Sequence, residues 1–369
     1  MLSIHDSLLR AGDGHACRLR SLAWPGAAIV DACAVDAPYG QLLVLTADGA
    51  LHGVDPASGA VAELCRVALP AVPAGAGANP ARLRLHASLD GAYAAIVLDR
   101  GQAGVVLETR SGKITLRLGG ENYHAAEVPF SACFLRHEGR NVFVHRSEWN
   151  RLDAADAASG ESLAERHIAH YESGKEQPRH YLDFFHGRLC PSPDGSRMFN
   201  DGWVWASGGM ARAWSVTGWL GANPWETEDG ASAVILMMRD GWDYPACWID
   251  ERHIALWNIA DEEDPHVNAS IQEPGVYIVD ATRENTGTPE RKFPMEMDKQ
   301  ADVLDLFCDG KRIIVAAATE TSIWDLASRA RVAVLPGFSA RFHDAARAVL
   351  VAVGPHAIVE WPLAWADRA

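Results

Sequence analysis

A short unit of strands joined by tight turns recurs along the chain, and it restricts the folds that the chain can adopt. The segment Pro191–Trp214 shows the unit most clearly: Pro193, Asp194 and Gly195 separate two apolar runs, and a Gly-rich break at 207–209 precedes a third run. Pro fixes φ, Asp hydrogen-bonds its own backbone, and Gly takes the positive-φ position that closes a hairpin. The pattern therefore predicts three successive antiparallel strands.

Units of this kind follow one another at a period of roughly 45 to 60 residues, which is typical of β-propeller blades. Each has four short strands with two apolar faces, so that closing a ring leaves no blade face free. We predict an all-β fold, a single seven-bladed β-propeller of four-stranded antiparallel blades that spans residues 1–369. The expected blades are 28–70, 81–127, 128–170, 180–238, 244–296, 302–337 and 338–363.

The last unit contains only three strands, and the N-terminal segment 15–22 can supply the fourth. Its apolar and polar residues alternate, with Ala16, Leu19 and Leu22 among the apolar ones. Without that strand the last blade would expose an open edge. We therefore expect residues 15–22 to complete the last blade and close the ring.

One strand end carries the dipeptide Trp324-Asp325, and Asp55, Asp153 and Asp280 occupy equivalent strand ends. In these features the chain resembles the WD-repeat and YVTN-like β-propellers, although the Gly-His signature of WD repeats is absent. The resemblance implies the architecture over nearly the whole chain. It implies no particular activity, because such folds carry many unrelated functions.

Charge and cysteine usage exclude several classes of partner. The formal net charge is −15, and no basic run or stripe is present, so nucleic acid is not expected to bind. The seven cysteines are far apart and never form a C-x-x-C pair, which argues against a zinc site and for a reducing compartment. With no signal peptide or membrane-length apolar run, we predict a cytoplasmic, bacterial protein with no membrane partner.

Catalytic signatures are absent from the sequence, and no cofactor or metal is predicted. The only candidates for catalysis are His186 and Asp183, in the segment His180–His186. On an inner strand they could ligate a metal or act as acid and base at the central channel. The alternative, which we favour, is that these histidines are packed or hydrogen-bonded between blades.

Tryptophan is concentrated in one sector, because eight of the thirteen tryptophans lie between Trp203 and Trp257. Those in strands are expected to be core. Trp203, Trp225 and Trp242 instead lie beside Gly, Pro, Asp or Glu, as aromatic binding hot spots do. The alternative is that they plug gaps in an irregular fourth blade.

An acidic run at 261–264 stands in a long connection of the fifth unit. Its residues Asp261, Glu262 and Asp264 could hold calcium, but they lack alternating ligand spacing and are more typical of a solvated loop tip.

The long connections all fall on one side of the predicted ring, where the hairpins between second and third strands and the crossovers between blades emerge. We call this side the crossover face. The leading hypothesis is a non-catalytic scaffold that binds an unknown protein or peptide there, with a preference for a basic partner. The predicted binding residues are Trp203, Trp225, Trp242, Asp243, Asp261, Glu262 and Asp264. The alternatives are a hydrolase or lactonase-like enzyme with a metal or a His/Asp site at the channel, and a small-molecule or sugar sensor.

Overall fold

Seven antiparallel sheets follow one another along the chain in the computed structural model and form the blades of a seven-bladed β-propeller. The structure describes residues 1–10, 16–73, 80–119, 122–167, 170–171, 173–205, 208–239, 241–258, 275–284, 291–293 and 303–363. Among these residues no helix is long and apolar enough to cross a membrane. The predicted fold class is confirmed.

The strands are, in chain order, β1 (Ser3–Arg10), β2 (Ala16–Ala23), β3 (Ile29–Ala37), β4 (Gly40–Thr46), β5 (Ala50–Asp55), β6 (Ala60–Arg66), β7 (Arg82–Ala87), β8 (Tyr93–Asp99), β9 (Gly104–Glu108), β10 (Ile114–Leu118), β11 (Ala132–His137), β12 (Arg140–Glu148), β13 (Arg151–Asp156), β14 (Phe185–Pro191), β15 (Arg197–Val204), β16 (Gly208–Ser215), β17 (Val234–Arg239), β18 (Ala246–Trp248), β19 (His253–Asn258), β20 (Gly275–Asp280), β21 (Arg291–Phe293), β22 (Val303–Cys308), β23 (Arg312–Ala317), β24 (Glu320–Asp325), β25 (Arg331–Pro336), β26 (Phe342–Asp344), β27 (Val349–Gly354) and β28 (Ala357–Pro362). Between β16 and β17 lie a π-helical turn (Gly218–Ala222) and a short helix, α1 (Glu226–Asp229).

The blades follow the chain order of these strands. Blade 1 is β3–β6, blade 2 is β7–β10, blade 3 is β11–β13, blade 4 is β14–β17, blade 5 is β18–β21 and blade 6 is β22–β25. Blade 7 combines β26–β28 with β2 and β1.

The turn between β14 and β15 forms as its sequence indicates. Ser192 Oγ donates a hydrogen bond to Asp194 Oδ1 at 2.6 Å, and the same oxygen accepts the backbone N–H of Ser196 at 3.0 Å. Gly195 has a φ of +70°, a left-handed conformation that few other residues adopt without strain. Side-chain hydrogen bonds and one glycine thus set the register of this hairpin.

Apolar side chains from neighbouring blades interlock to form the core. Between blades 4 and 5, for example, Phe199 and Ala213 pack with Leu256 and Val279, all of them buried. The strand tryptophans Trp214, Trp248 and Trp257 are buried as predicted, and they pack in the apolar clusters between blades 3 and 6. The stability of each blade therefore depends on contact with its neighbours.

The N-terminal segment closes the ring, as the sequence predicts. β2 pairs antiparallel with β28, from Arg20 opposite Glu360 to Ala23 opposite Ala357. Leu22 is fully buried on this strand. The structure adds one element that was not predicted, because β1 pairs along the whole of β2 and gives blade 7 a fifth strand.

Blade 3 departs from the predicted four strands, since no fourth strand follows β13 in the residues that the structure describes. Pairing with β13 is limited to a single bridge between Ala155 and Ser162 and the bonds around it. Farther along, the Arg166 guanidinium donates to Leu152 O at 2.9 Å, where backbone N–H groups of a fourth strand would otherwise bond. A buried side chain thus replaces the strand.

The segment between β16 and β17 covers the place that this strand leaves open. Trp219, in the π-helical turn, is buried in the same cluster as Leu152 and Ala154 of β13. Glu228 of α1 pairs with Arg166 at 2.5 Å, and both side chains are almost completely buried. Blade 4 therefore supplies part of the outer wall of blade 3.

We predict that ring closure depends on β2 more than on β1. Deleting residues 1–23 removes the partner of β28 and three buried leucines, Leu2, Leu19 and Leu22, and should lower the melting temperature by on the order of 10 °C and promote aggregation. Deleting residues 1–10 removes the fifth strand and Leu2 but leaves β2 in place, and should have a smaller effect. Equal melting temperatures for the longer deletion and the intact chain would contradict this account.

We also predict that Arg166 is essential for the edge of blade 3. Arg166→Ala leaves the Glu228 carboxylate buried without its guanidinium and should cost about 3–5 kcal/mol of unfolding free energy, measured by urea titration. Arg166→Met combined with Glu228→Gln should recover part of that loss, because position 228 then carries no unpaired carboxylate. The matched control is Arg66→Ala, which breaks exposed ion pairs and should cost about 1 kcal/mol or less. A loss no larger than the control's would refute the proposed role.

Candidate functional site

An aromatic cluster lies on the crossover face of blades 2 to 5. At its centre the buried Phe185 stacks on Trp203, with ring centroids 4.4 Å apart, and lies 4.5 Å from Trp149. Trp203 in turn stacks on Trp242 at 5.2 Å. The remaining members of the cluster are Tyr123, His124 and Trp205.

The crossover from blade 4 to blade 5 is fastened to blade 2. Trp242 donates its Nε1–H to Glu127 O at 2.8 Å, and Asp243 accepts from Arg100 Nη2 at 2.8 Å. Both residues were predicted to bind a partner, and the structure does place Trp242 beside Trp203. The Trp242 indole N–H and the Asp243 carboxylate both have partners within the chain, and a binding role for these two residues stays a prediction.

Trp225 lies apart from this cluster. Its ring stacks on His180, with centroids 4.3 Å apart and an interplanar angle of 12°, and the Arg166 guanidinium lies 5.6 Å from the ring centroid. His180 Nδ1 is 2.7 Å from Asp229 Oδ1. The other predicted binding residues, Asp261, Glu262 and Asp264, lie outside the residues that the structure describes.

A cavity of about 610 Å³ opens between blades 3 and 4, next to the cluster. Three aromatic side chains at the cavity are exposed: Tyr123 by 47%, Tyr171 by 42% and Trp205 by 42%. Trp149 and Tyr181 line it as well. Large aromatic rings in contact with solvent around a concave site are typical of binding surfaces.

The position of the cavity follows from the irregular edge of blade 3. Because no fourth strand follows β13, the chain leaves the blade and returns through the crossover to β14. That crossover is held by Asn150 Nδ2, which donates to Leu182 O at 2.9 Å, and by the His186 N–H, which donates to Trp149 O at 3.2 Å. Glu228 of α1 also reaches the lining.

The charged groups of the cavity differ in how far they are neutralised. Glu228 is paired with Arg166, and Arg151 Nε lies 3.1 Å from Asp153 Oδ1. Among the described residues, the ion-pair partners of Glu148 are distant, at 3.9 Å for His170 and 4.0 Å for Arg151. The Asp183 carboxylate is exposed at the cavity, and it adds to burial in raising the pKa of Tyr181.

Four of the seven non-glycine residues with positive φ in the described part of the chain lie on the same face. Arg100, His124, His180 and Asp243 all have φ between +49° and +64°, although none is glycine. Such conformations cost free energy and persist only where surrounding contacts hold them, which is most common at functional sites. Here the Arg100–Asp243 pair and the Trp225–His180 stack provide those contacts.

The two candidates for catalysis, His186 and Asp183, have different surroundings. β14 begins at Phe185, so residues 180–184 are not in the strand that the sequence indicates, and Asp183 is exposed at the cavity. His186 is buried, and its Nδ1 lies 2.6 Å from Asn200 Oδ1. Burial lowers the pKa of His186 to about 3. This environment matches the packed histidine that we favoured.

Ion pairs cross the central channel. Arg188 of β14 donates to Asp305 of β22 at 2.6 Å, which links blade 4 to blade 6. Asp31 accepts from Arg341 at 3.1 Å, between blades 1 and 7. Among the described residues, no group of three or more His, Cys, Asp or Glu side chains is arranged to hold a metal ion.

Comparisons with known proteins support the architecture. The chain is similar to the β-propeller domain of Cps50 (Swd1) from Myceliophteria thermophila, with a TM-score of 0.54, 12% identity and coverage of 97% of this chain and 100% of that one. A chain of the mitotic checkpoint complex is similar with a TM-score of 0.54 and 14% identity, over 93% of this chain and 94% of that one. A chain of Kuenenia stuttgartiensis hydrazine synthase is similar with a TM-score of 0.54 and 12% identity, over 91% of this chain and 95% of that one. No protein-family model and no curated protein sequence matches the chain. At these identities the similarity shows the propeller fold alone, in agreement with the resemblance drawn from the sequence.

Several residues of the site were not singled out by the sequence. Tyr123 and Tyr171 lie in long connections of the crossover face, and that position is the signal that could have identified them. Trp205 belongs to the tryptophan-rich sector, two residues after Trp203. Nothing local marks Trp149, because its role depends on Phe185 of the next blade.

We predict that His186 makes stability depend on pH. The unfolded chain protonates this histidine near its ordinary pKa of about 6.5. The folded chain does so only at about 3, so stability is complete above 6.5 and falls as the pH decreases. His186→Gln should reduce the slope of unfolding free energy between pH 6 and 4 by about 1.4 kcal/mol per pH unit, measured by urea titration. An unchanged slope would show that the folded protein protonates His186 normally.

Proposed function

We propose that this chain is a non-catalytic binding protein, and that a protein or peptide partner docks on the crossover face over the cavity between blades 3 and 4. The observation that carries the proposal is the exposure of Tyr123, Tyr171 and Trp205 around one concave site. Tyrosine and tryptophan dominate the energetics of protein interfaces because each buries a large area at low cost in side-chain entropy.

The propeller fold is consistent with a protein partner. A closed ring of blades is a rigid support for loops, and loops on rigid supports commonly carry binding sites. One of the similar structures is a chain of the mitotic checkpoint complex, which is an assembly of proteins. That similarity concerns the fold, so the binding site on this chain is argued from its own residues.

The support beneath the cavity favours tight binding. Trp203, Trp242 and Phe185 stack on one another, and the hydrogen bond from Trp242 to Glu127 O fixes the crossover. Side chains that are already ordered lose little conformational entropy when a partner binds. We expect these stacked rings to position the surface that Tyr123, Tyr171 and Trp205 present, while Trp225 stacks on His180, which also lines the cavity.

A phage-displayed random peptide library tests this proposal. Selection on the intact protein should enrich peptides whose binding changes the fluorescence of Trp149 and Trp205. Trp205→Ala should then weaken the best peptide by about 2 kcal/mol, or about 30-fold in Kd, with the melting temperature nearly unchanged.

The matched control is Leu89→Ala. Leu89 is also exposed, but it lies in the turn after β7, on the opposite face of the ring, and its removal should leave peptide affinity unchanged. The proposal fails if no peptide is enriched, or if Leu89→Ala weakens binding as much as Trp205→Ala does.

A further inference from the structure

We infer that the cavity between blades 3 and 4 receives an arginine side chain of the partner. The inference rests on the proposed function and specifies the chemistry of the docked residue. Three properties of the described residues support it. The cavity is lined by aromatic rings, two of its carboxylates have no close ion-pair partner, and nearby arginines of this chain already stack on rings.

The aromatic lining favours a cation over an anion. Tyr123, Trp149, Tyr171, Tyr181 and Trp205 all line the cavity. The face of an aromatic ring carries negative electrostatic potential, which attracts a guanidinium or ammonium group and repels a carboxylate or phosphate. The chain as a whole has a formal net charge of −15, which further favours the approach of cationic partners.

Two carboxylates are placed to pair with such a cation. Asp183 is exposed at the cavity, and Glu148 has partners only at 3.9 and 4.0 Å. Glu228 is neutralised by Arg166. The lining therefore offers two carboxylates for a ligand.

The positive groups of the lining do not cancel the negative charge of its carboxylates. The charged lining comprises three carboxylates and two guanidiniums, those of Arg151 and Arg179. Arg151 is already paired with Asp153 at 3.1 Å, and Arg179 is exposed to solvent, which screens its charge.

The same sector already holds arginines against rings. Arg146 lies 5.0 Å from the ring centroid of Phe130 and donates to Gly101 O at 2.8 Å. Arg212 lies 5.5 Å from Phe184 and donates to Thr227 O at 3.1 Å. In both cases a ring binds the face of the guanidinium while an oxygen accepts its N–H groups.

The cavity offers the same combination without an arginine of its own in that position, since rings form its walls and Asp183 and Glu148 supply oxygens. Arginine suits this arrangement better than lysine, because a planar guanidinium stacks on a ring and donates two parallel hydrogen bonds to a carboxylate.

The test uses the best peptide from the library selection. The selected peptides should share an arginine. Replacing that arginine with citrulline, which keeps the length and removes the charge, should raise the Kd by about tenfold or more, and lysine should give an intermediate value. Added salt should weaken the arginine peptide and leave the citrulline peptide nearly unaffected.

Matched protein variants locate the effect. Asp183→Asn should weaken the arginine peptide by about fivefold or more and leave the citrulline peptide unchanged, because the lost interaction is charge-assisted. The control Asp36→Asn makes the same change in net charge at an exposed position near the end of β3, on the opposite face, and should have no effect.

The outcomes separate this inference from the proposed function. If peptides are enriched but share an acidic or a purely apolar residue, or if citrulline binds as well as arginine, the inference is wrong and the docking surface stands. If Asp36→Asn weakens binding as much as Asp183→Asn, the effect is one of general charge and the inference is again wrong. If no peptide is enriched, both fail.

Discussion

The pairing of β2 with β28 is the contact on which the rest of the structure depends. It joins a strand from the start of the chain to one near its end, and it converts a row of sheets into a ring. In an open row, the two terminal blades would each expose an apolar face and a strand edge. Once the ring is closed, every blade is held from both sides, so an individual blade can depart from the four-stranded pattern.

Blade 3 departs from the four-stranded pattern in this way, with β11, β12 and β13 in its sheet. A sheet of three strands is close to the smallest that can be stable by itself. Within the ring, Arg166 satisfies the Leu152 carbonyl, and Trp219 from blade 4 packs against β13. The crossover that leads on to β14 contributes Tyr171, Tyr181 and Asp183 to the cavity. The irregular blade and the candidate site are therefore next to each other.

The sequence predicts those parts of the structure that depend on local chemistry. The turn at Asp194–Gly195 and the alternation in β2 are visible in a few consecutive residues. The site is different, because Trp242 bonds to Glu127 and Asp243 to Arg100, which are distant in the chain. The sequence does not show which rings stack on one another, so it did not single out Trp205, which is exposed beside the stacked pair of Trp203 and Trp242. The sequence also does not show that the described part of blade 3 stops at three strands, because this depends on the buried Arg166–Glu228 pair between blades.

The distribution of charge explains why the candidate site lies away from the propeller axis. In the channel, Arg188 faces Asp305 and Asp31 faces Arg341, so each of these carboxylates already has a guanidinium, and a ligand would have to displace a protein group to bind there. At the cavity, Asp183 and Glu148 lack such close partners, and the rings around them remain exposed. A partner with a cationic side chain can contact the carboxylates and the rings together without breaking an existing ion pair. We therefore expect a cationic partner to bind more favourably between blades 3 and 4 than at the axis.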